Sequence, residues 1–290
     1  MQRREFIRLL GGATATWPVG ALAQQRSMPI VGFLGLAPAS GYASRLEGIR
    51  SGLRDFGFEE NNSFALEPRW ADNLNQLRKL AAEIVQLRPS VIVTTGNAAT
   101  LAAKQEAGAI PIAFAVADDP VRLGFVESFN QPGGNASGVS LISGALGAKR
   151  IALLRELIPD ATLIMMLTNP DNPAEATVRD EQAKAEVMGQ KLLVIHASRE
   201  DEFQGAFGLA ARQHASAMLV NADAFFTSHR KKIVSLAAQH KLPTMYAWRE
   251  FADDGGLMSY GISLGDAYRQ LGIYVGRILR GVKPADLPVI

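Results

Sequence analysis

Two stretches of the chain, Ser90 to Pro111 (SVIVTTGNAATLAAKQEAGAIP) and Ser216 to Pro243 (SAMLVNADAFFTSHRKKIVSLAAQHKLP), follow the same plan. Each opens on Ser and a short apolar run, then crosses a small polar junction, Thr-Gly-Asn-Ala in one and Asn-Ala-Asp-Ala in the other. Each continues through a helix-length pattern and closes on Pro before the next apolar run. A short continuous apolar run that leads into helical periodicity is the pattern of a parallel strand buried on both faces by crossover helices. Two such copies predict two related halves.

The same alternation extends in both directions. Apolar runs lie at Ile30 to Leu36, Ser63 to Trp70, Val91 to Thr95, Ile112 to Ala117, Thr162 to Thr168, Lys191 to Ala197, Ala217 to Asn221, Thr244 to Trp248 and Leu257 to Tyr260. Helical patterns fill Ser44 to Phe56, Leu74 to Leu87, Glu175 to Met188, Glu202 to His214 and Ser228 to His240. The fold class is therefore α/β with parallel sheets. The rhythm breaks once, at Gln131-Pro132-Gly133-Gly134-Asn135, before Ala136 to Leu141 and a helix from about Ala145 to Leu157. This predicts two Rossmann-like lobes, residues 29–138 plus 264–290 and residues 139–263, connected near 138–142 and 261–264 with a cleft between them. A single doubly wound sheet of about nine strands is the alternative.

In open parallel sheets, ligands sit beyond the carboxyl ends of the strands, where loops and helix N-termini converge. Here those ends carry Ser40, Thr95, Asn97, Thr100, Asp118 and Asp119 in the first half, and Thr168 to Asn172, Asn221 to Asp223 and Tyr246 to Glu250 in the second. Hydroxyl and amide groups with helix-start N–H groups suit a carboxylate. Asp118, Asp119 and Asp223 suit an ammonium, and Tyr42, Tyr246, Trp248 and Tyr260 suit an apolar or aromatic body. Asx, Ser and Thr after a strand are also ordinary caps and turn formers.

Catalytic and metal constellations are harder to find. The chain has no cysteine, which removes disulfides, thiol chemistry, Cys-held metals and a lipid-modified Cys. His196, His214, His229 and His240 lack metal-ligand spacing. Gly32 to Gly35 and Gly133-Gly134 match neither a dinucleotide fingerprint nor a P-loop, and no Gly-x-Ser-x-Gly elbow occurs. No cofactor, no metal and no enzymatic activity are expected.

Residues 1–23 combine Arg3, Arg4 and Arg8 with a modest apolar run that ends Ala21-Leu22-Ala23. This is the plan of a cleavable export signal of the twin-arginine type, and its run of about 14 residues is too short for a membrane span of roughly 20. The whole chain holds 30 Lys+Arg and 28 Asp+Glu; the first 23 residues hold three Arg and one Glu, so 27 of each remain. A neutral mature chain offers nothing to nucleic acid. The location expected is the periplasm, free of a lipid anchor.

Together, Ile30 to Leu36 with Gly32 and Gly35, the Arg45 to Phe58 segment, Ala117 to Gly124, Gln131 to Asn135 and Tyr246 to Gly261 resemble the periplasmic substrate-binding components of ABC transporters. The likeness is to the tryptophan/aromatic-amino-acid-type branch, and it rests on the order and spacing of these segments. It implies a type I periplasmic-binding fold that closes on a small polar ligand, an amino acid or related small carboxylate, and presents it to an inner-membrane permease. It also implies ligand contacts at Ser40, Asn97, Ala98, Thr100 and Asp119 in the first lobe, and at Asn169, Asp223, Tyr246 and Tyr260 in the second. A monomer is expected. Family chains continue past the Leu287-Pro288-Val289 segment through a further strand and helix, so the resemblance also implies a first lobe short of an outer layer. A sensing module for a receptor and an exported α/β enzyme are the alternative functions; the second lacks a nucleophile–base pair.

Overall fold

The computed structural model describes residues 28–36, 42–141, 146–173 and 175–290. The chain forms two five-stranded parallel sheets. The first holds β1 (Ile30–Leu36), β2 (Ala65–Ala71), β3 (Val91–Thr95), β4 (Ile112–Val116) and β5 (Ala136–Ser140), in the order β2-β1-β3-β4-β5. The second holds β6 (Leu163–Thr168), β7 (Lys191–His196), β8 (Ala217–Val220), β9 (Thr244–Tyr246) and β10 (Met258–Ser259), in the order β7-β6-β8-β9-β10. By position along the chain the two orders are identical, which is the internal repeat made visible. Two sheets replace the alternative of one.

Central strands read as expected. All residues of β3, β4, β6 and β8 are buried. Edge strand β7 is only half covered, and edge strand β2 tolerates Pro68 where a missing ladder donor costs least. In the first lobe, α1 (Ala43–Arg54), α2 (Leu74–Gln86) and α3 (Asn97–Glu106) connect the strands. In the second, α4 (Gly147–Leu157), α5 (Glu175–Val187), α6 (Glu202–Arg212), α7 (Ala224–Ser228), α8 (Arg230–Gln239) and α9 (Arg249–Asp253) do so. The helix predicted over Ser228 to His240 is divided at His229, whose backbone leaves helical geometry between α7 and α8. The strand predicted over Thr244 to Trp248 stops at Tyr246, because Trp248 is already the extended residue that opens α9.

The chain passes from the first sheet to the second between Ser140 and Gly147 and returns between Ser259 and Leu264. The returning helix α10 (Leu264–Leu279) lies against α1 and the first sheet. Leu34, Ile92 and Phe114 pack with α2 and α3 on one face of that sheet, and Ile164, Met166 and Leu219 pack with α4 on one face of the other. The remaining faces join in one buried cluster that runs from Phe33 and Ile49 through Tyr268 and Leu264 to Trp248 and Phe226. Residues 287–290 cover the outer edge of β5: Ser140 N–H donates to the Ile290 carbonyl at 2.6 Å, and Leu287 and Val289 are buried.

Candidate functional site

The carboxyl ends of the two sheets face each other, and the contact between them is polar and buried. Asn97, the first residue of α3, follows β3; Asp118 follows β4. From the other lobe come Asn169 and Asn172 after β6, and Asp223 after β8. Asn97 Nδ2 donates to Asp118 Oδ2 at 2.5 Å within the first lobe and to Asn172 Oδ1 at 2.8 Å across the cleft. Asn172 Nδ2 then donates to Asp223 Oδ2 at 2.9 Å. Two carboxylates on opposite lobes are thus linked through two amides.

Burial pushes the carboxyl of Asp118 above the usual range, although hydrogen bonds from Thr177 and Asn97 oppose the shift. Asp223 is raised for the same reason, against the Phe226 N–H at 3.1 Å and the Asn169 and Asn172 amides. Asp223 is fully engaged, because it also caps α7. By contrast, Asn97 Oδ1 and the Thr95 hydroxyl are buried without a partner. They leave hydrogen-bonding capacity at the end of β3.

Helix α5 brings a second set of groups toward the first lobe. Thr177, Asp180 and Glu181 share one helix face by their spacing. Thr177 lies near Asp118, and Asp180 Oδ2 accepts from Arg122 Nη1 at 2.6 Å. That hydrogen bond holds the Asp180 carboxyl below the usual range. Arg150 of α4 is buried and donates from Nε to the Tyr260 carbonyl at 2.8 Å; burial lowers it to about 10. Two cavities flank the Pro170–Pro173 turn. One, of about 410 Å3, is lined by Thr168, Asn169, Asn172, His196 and Asp223; the other, of about 240 Å3, lies between that turn and Leu74, Leu77, Ala98 and Leu101 of α2 and α3.

Of the residues expected at the site, Asn97, Asn169 and Asp223 come together here, and Ala98 lines the smaller cavity. The others are placed differently. Thr100 Oγ1 lies 2.8 Å from Thr94 Oγ1 and donates to the Gly96 carbonyl, so it braces α3 on β3. Asp119 is exposed and accepts from the Val121 N–H at 2.8 Å, an Asx turn; its neighbour Asp118 is the buried one. The Tyr246 ring stacks on Phe251 inside the second lobe, with centroids 4.6 Å apart. Tyr260 is half exposed and contributes its backbone carbonyl to Arg150. Ser40 and the export signal at residues 1–23 lie outside the described residues. Asn172 closes the polar run Thr168 to Asn172 expected at the strand ends, though not among the ligand contacts; Thr177, Arg150 and Glu181 were not singled out from sequence. For Arg150 a signal existed: it falls in the buried stripe Gly147, Arg150, Ile151, Leu154, where a charge needs a reason.

Residues 38–290 match the model of a protein family described as ABC transporter substrate binding protein. This chain belongs to that family. A Vibrio cholerae conserved domain protein of known structure is similar at 25% identity, covering 90% of this chain and 88% of that one with a TM-score of 0.83. An ABC domain from Streptococcus pneumonia, solved in complex with L-Trp, is similar at 21% identity, covering 91% and 88% of the two chains with a TM-score of 0.80. A tyrosine-binding protein of Clostridioides difficile is 23% identical over 249 residues, 84% of this chain and 70% of that protein. As an ABC substrate-binding protein, the chain has a small-molecule ligand and a permease as its partners. Proteins of this family typically work outside the cytoplasm, and among the described residues no helix is long and apolar enough to cross a membrane.

Proposed function

We propose that this substrate-binding protein takes up an amino acid or a closely related small carboxylate between its lobes and delivers it to an inner-membrane permease. The observation that carries the proposal is the cross-lobe chain Asp118–Asn97–Asn172–Asp223, which places buried donors and acceptors from both sheets in one contact. A ligand that engages both lobes favours the closed arrangement by the contacts it adds there. Shifting a lobe equilibrium from mostly open to mostly closed needs about 5 kcal/mol of differential affinity, which a few charge-assisted hydrogen bonds supply. Within this proposal Asp118 is the first-lobe receptor for an ammonium, and the Thr95 hydroxyl and the α3 N-terminus receive oxygen atoms of the ligand. The connections near 138–142 and 261–264 act as the hinge. Residues 1–23 direct export by the twin-arginine route, and the protein works in the periplasm as a monomer without cofactor or catalytic activity.

A thermal-shift screen of amino acids, aromatic acids and short sugars tests this. Binding at 100 times Kd stabilises the native state by about 2.7 kcal/mol, an easily read shift in Tm. Stabilisation by one or more amino acids is expected. A screen in which only sugars stabilise the protein overturns the amino-acid assignment.

A further inference from the structure

Among the described residues, Glu181 is a charged group that the lobe contact does not explain. It is only 1% exposed, and neither carboxylate oxygen has a hydrogen-bond partner. It is built in rather than stranded. The carboxyl lies against the first residue of α4, Gly147, so closely that a Cβ there would overlap Glu181 Oε1. A side chain at 147 would require the Glu181 carboxyl to shift. The neighbouring Asp180 pairs with Arg122 of the opposite lobe at 2.6 Å, which puts this part of α5 where the two lobes meet.

The groups that face it are Asp118 from the loop after β4, Arg150 from α4, and Asp180 and Lys184 from its own helix. Of these, Arg150 already donates to the Tyr260 carbonyl. Asp118 accepts from Asn97, and Asp223 accepts from Asn169, Asn172 and the Phe226 N–H. The Arg150 charge opposes the desolvation of Glu181, but among the described carboxylates of this contact Glu181 is the one whose two oxygens both lack a hydrogen-bond donor. A buried carboxylate without a partner is stable only with a proton or a cation beside it. Desolvation has pushed it to about 7, so near neutrality it changes state with a small change in surroundings.

We infer that Glu181 is a specificity-determining residue: with Asp118 across the cleft, it receives a primary ammonium group of the ligand. The inference rests on the proposed binding role and narrows the ligand class to amines, with the α-amino group of an amino acid as the first candidate. An arriving ammonium supplies the missing donors to Glu181 and lies between carboxylates of both lobes, so the same group that is recognised also holds the lobes together.

The test uses three probe sets in calorimetric titration: L-tryptophan, L-tyrosine and L-leucine; the amines tryptamine and tyramine; and the acids indolepropionate and hydroxyphenylpropionate, which lack the amine. Glu181→Gln keeps the shape and removes the charge, and Tm without ligand checks that the variant is folded. The inference expects amine-bearing probes to bind wild type and to lose at least tenfold in affinity in E181Q. It also expects wild-type affinity to rise as Glu181 ionises from about pH 5 to about pH 8, with a flatter profile in E181Q and Asp118→Asn as the control for the facing acid. Equal affinity of wild type and E181Q for an amine-bearing probe overturns it. So does tight binding of the acids alone, an outcome that leaves the small-carboxylate function standing. Binding of the amines alone would support the Glu181 site and sink the amino-acid function. If no amine-bearing probe binds wild type, the Glu181 site is overturned.

Discussion

Asp223 shows how one residue carries two duties, and the difference decides which substitution is informative. Its carboxylate accepts from the Asn172 amide at the lobe contact and from the Phe226 N–H at the start of α7. Asp223→Ala therefore removes a cap, worth about 1 kcal/mol, and leaves buried amide donors of Asn169 and Asn172 short of an acceptor, a further cost of about 1–3 kcal/mol. Lost binding in that variant would not separate site from scaffold. Asn97→Ala removes no helix cap, but it too takes a donor from buried Asp118 and from Asn172. The expected result is at least a tenfold loss of affinity for the stabilising amino acid in both variants, with a smaller fall in urea midpoint for Asn97→Ala than for Asp223→Ala; unchanged affinity in Asn97→Ala would move the site away from this chain of amides. Residue-level legibility follows the same physics. Asn97 and Asp223 were readable because a polar residue between a buried strand and a helix sits at the sheet's carboxyl end. Asp118 and Asp119 were not separable, since the direction of the turn after β4 decides which one is buried. Thr100 and Tyr246 turn back toward β3 and Phe251, a choice made by tertiary packing.

At the scale of elements, the strands were legible from their apolar runs. The short helices were not: α7 and α9 have five residues each, too few for a periodic pattern to stand out. The attachment of α10 to the first lobe was expected from the division of the chain near 261–264, but its packing is written in small residues. Gly52 of α1 and Gly272 of α10 meet backbone to backbone: a Cβ on Gly272 would overlap the Ile49 carbonyl, and one on Gly52 the Arg269 carbonyl. Neither neighbour is a flexible side-chain end, so the helices must separate to admit a methyl group. Gly272→Ala is expected to destabilise by about 1–3 kcal/mol, despite the higher helix propensity of alanine. The exposed Gly205 of α6, where an added Cβ meets nothing, is the control: Gly205→Ala should leave Tm unchanged or raise it. Comparable Tm in Gly272→Ala and wild type would show that the α1–α10 contact is looser than described.

At the scale of the whole molecule, the lobes share one continuous core and also meet through polar contacts, among them the exposed pair Arg122–Asp180. Both side chains are about half exposed, so the ion pair contributes little to folding and is weakened by salt. Its value is as a reporter of closure. The chain contains no cysteine, so Arg122→Cys with Asp180→Cys places the only two thiols of the protein on opposite lobes. A short bifunctional thiol reagent can span them when the lobes are together and not when they swing apart. If ligand shifts the lobes toward the closed form, the yield of cross-linked protein should rise with the concentration of the stabilising amino acid and saturate with the Kd measured by calorimetry. It should fall when Asn97→Ala is added at the same ligand concentration, because the bridge that rewards closure is then missing. A yield independent of ligand would mean that the lobes are held together by their shared core alone, and recognition by the permease would then have to depend on something other than closure.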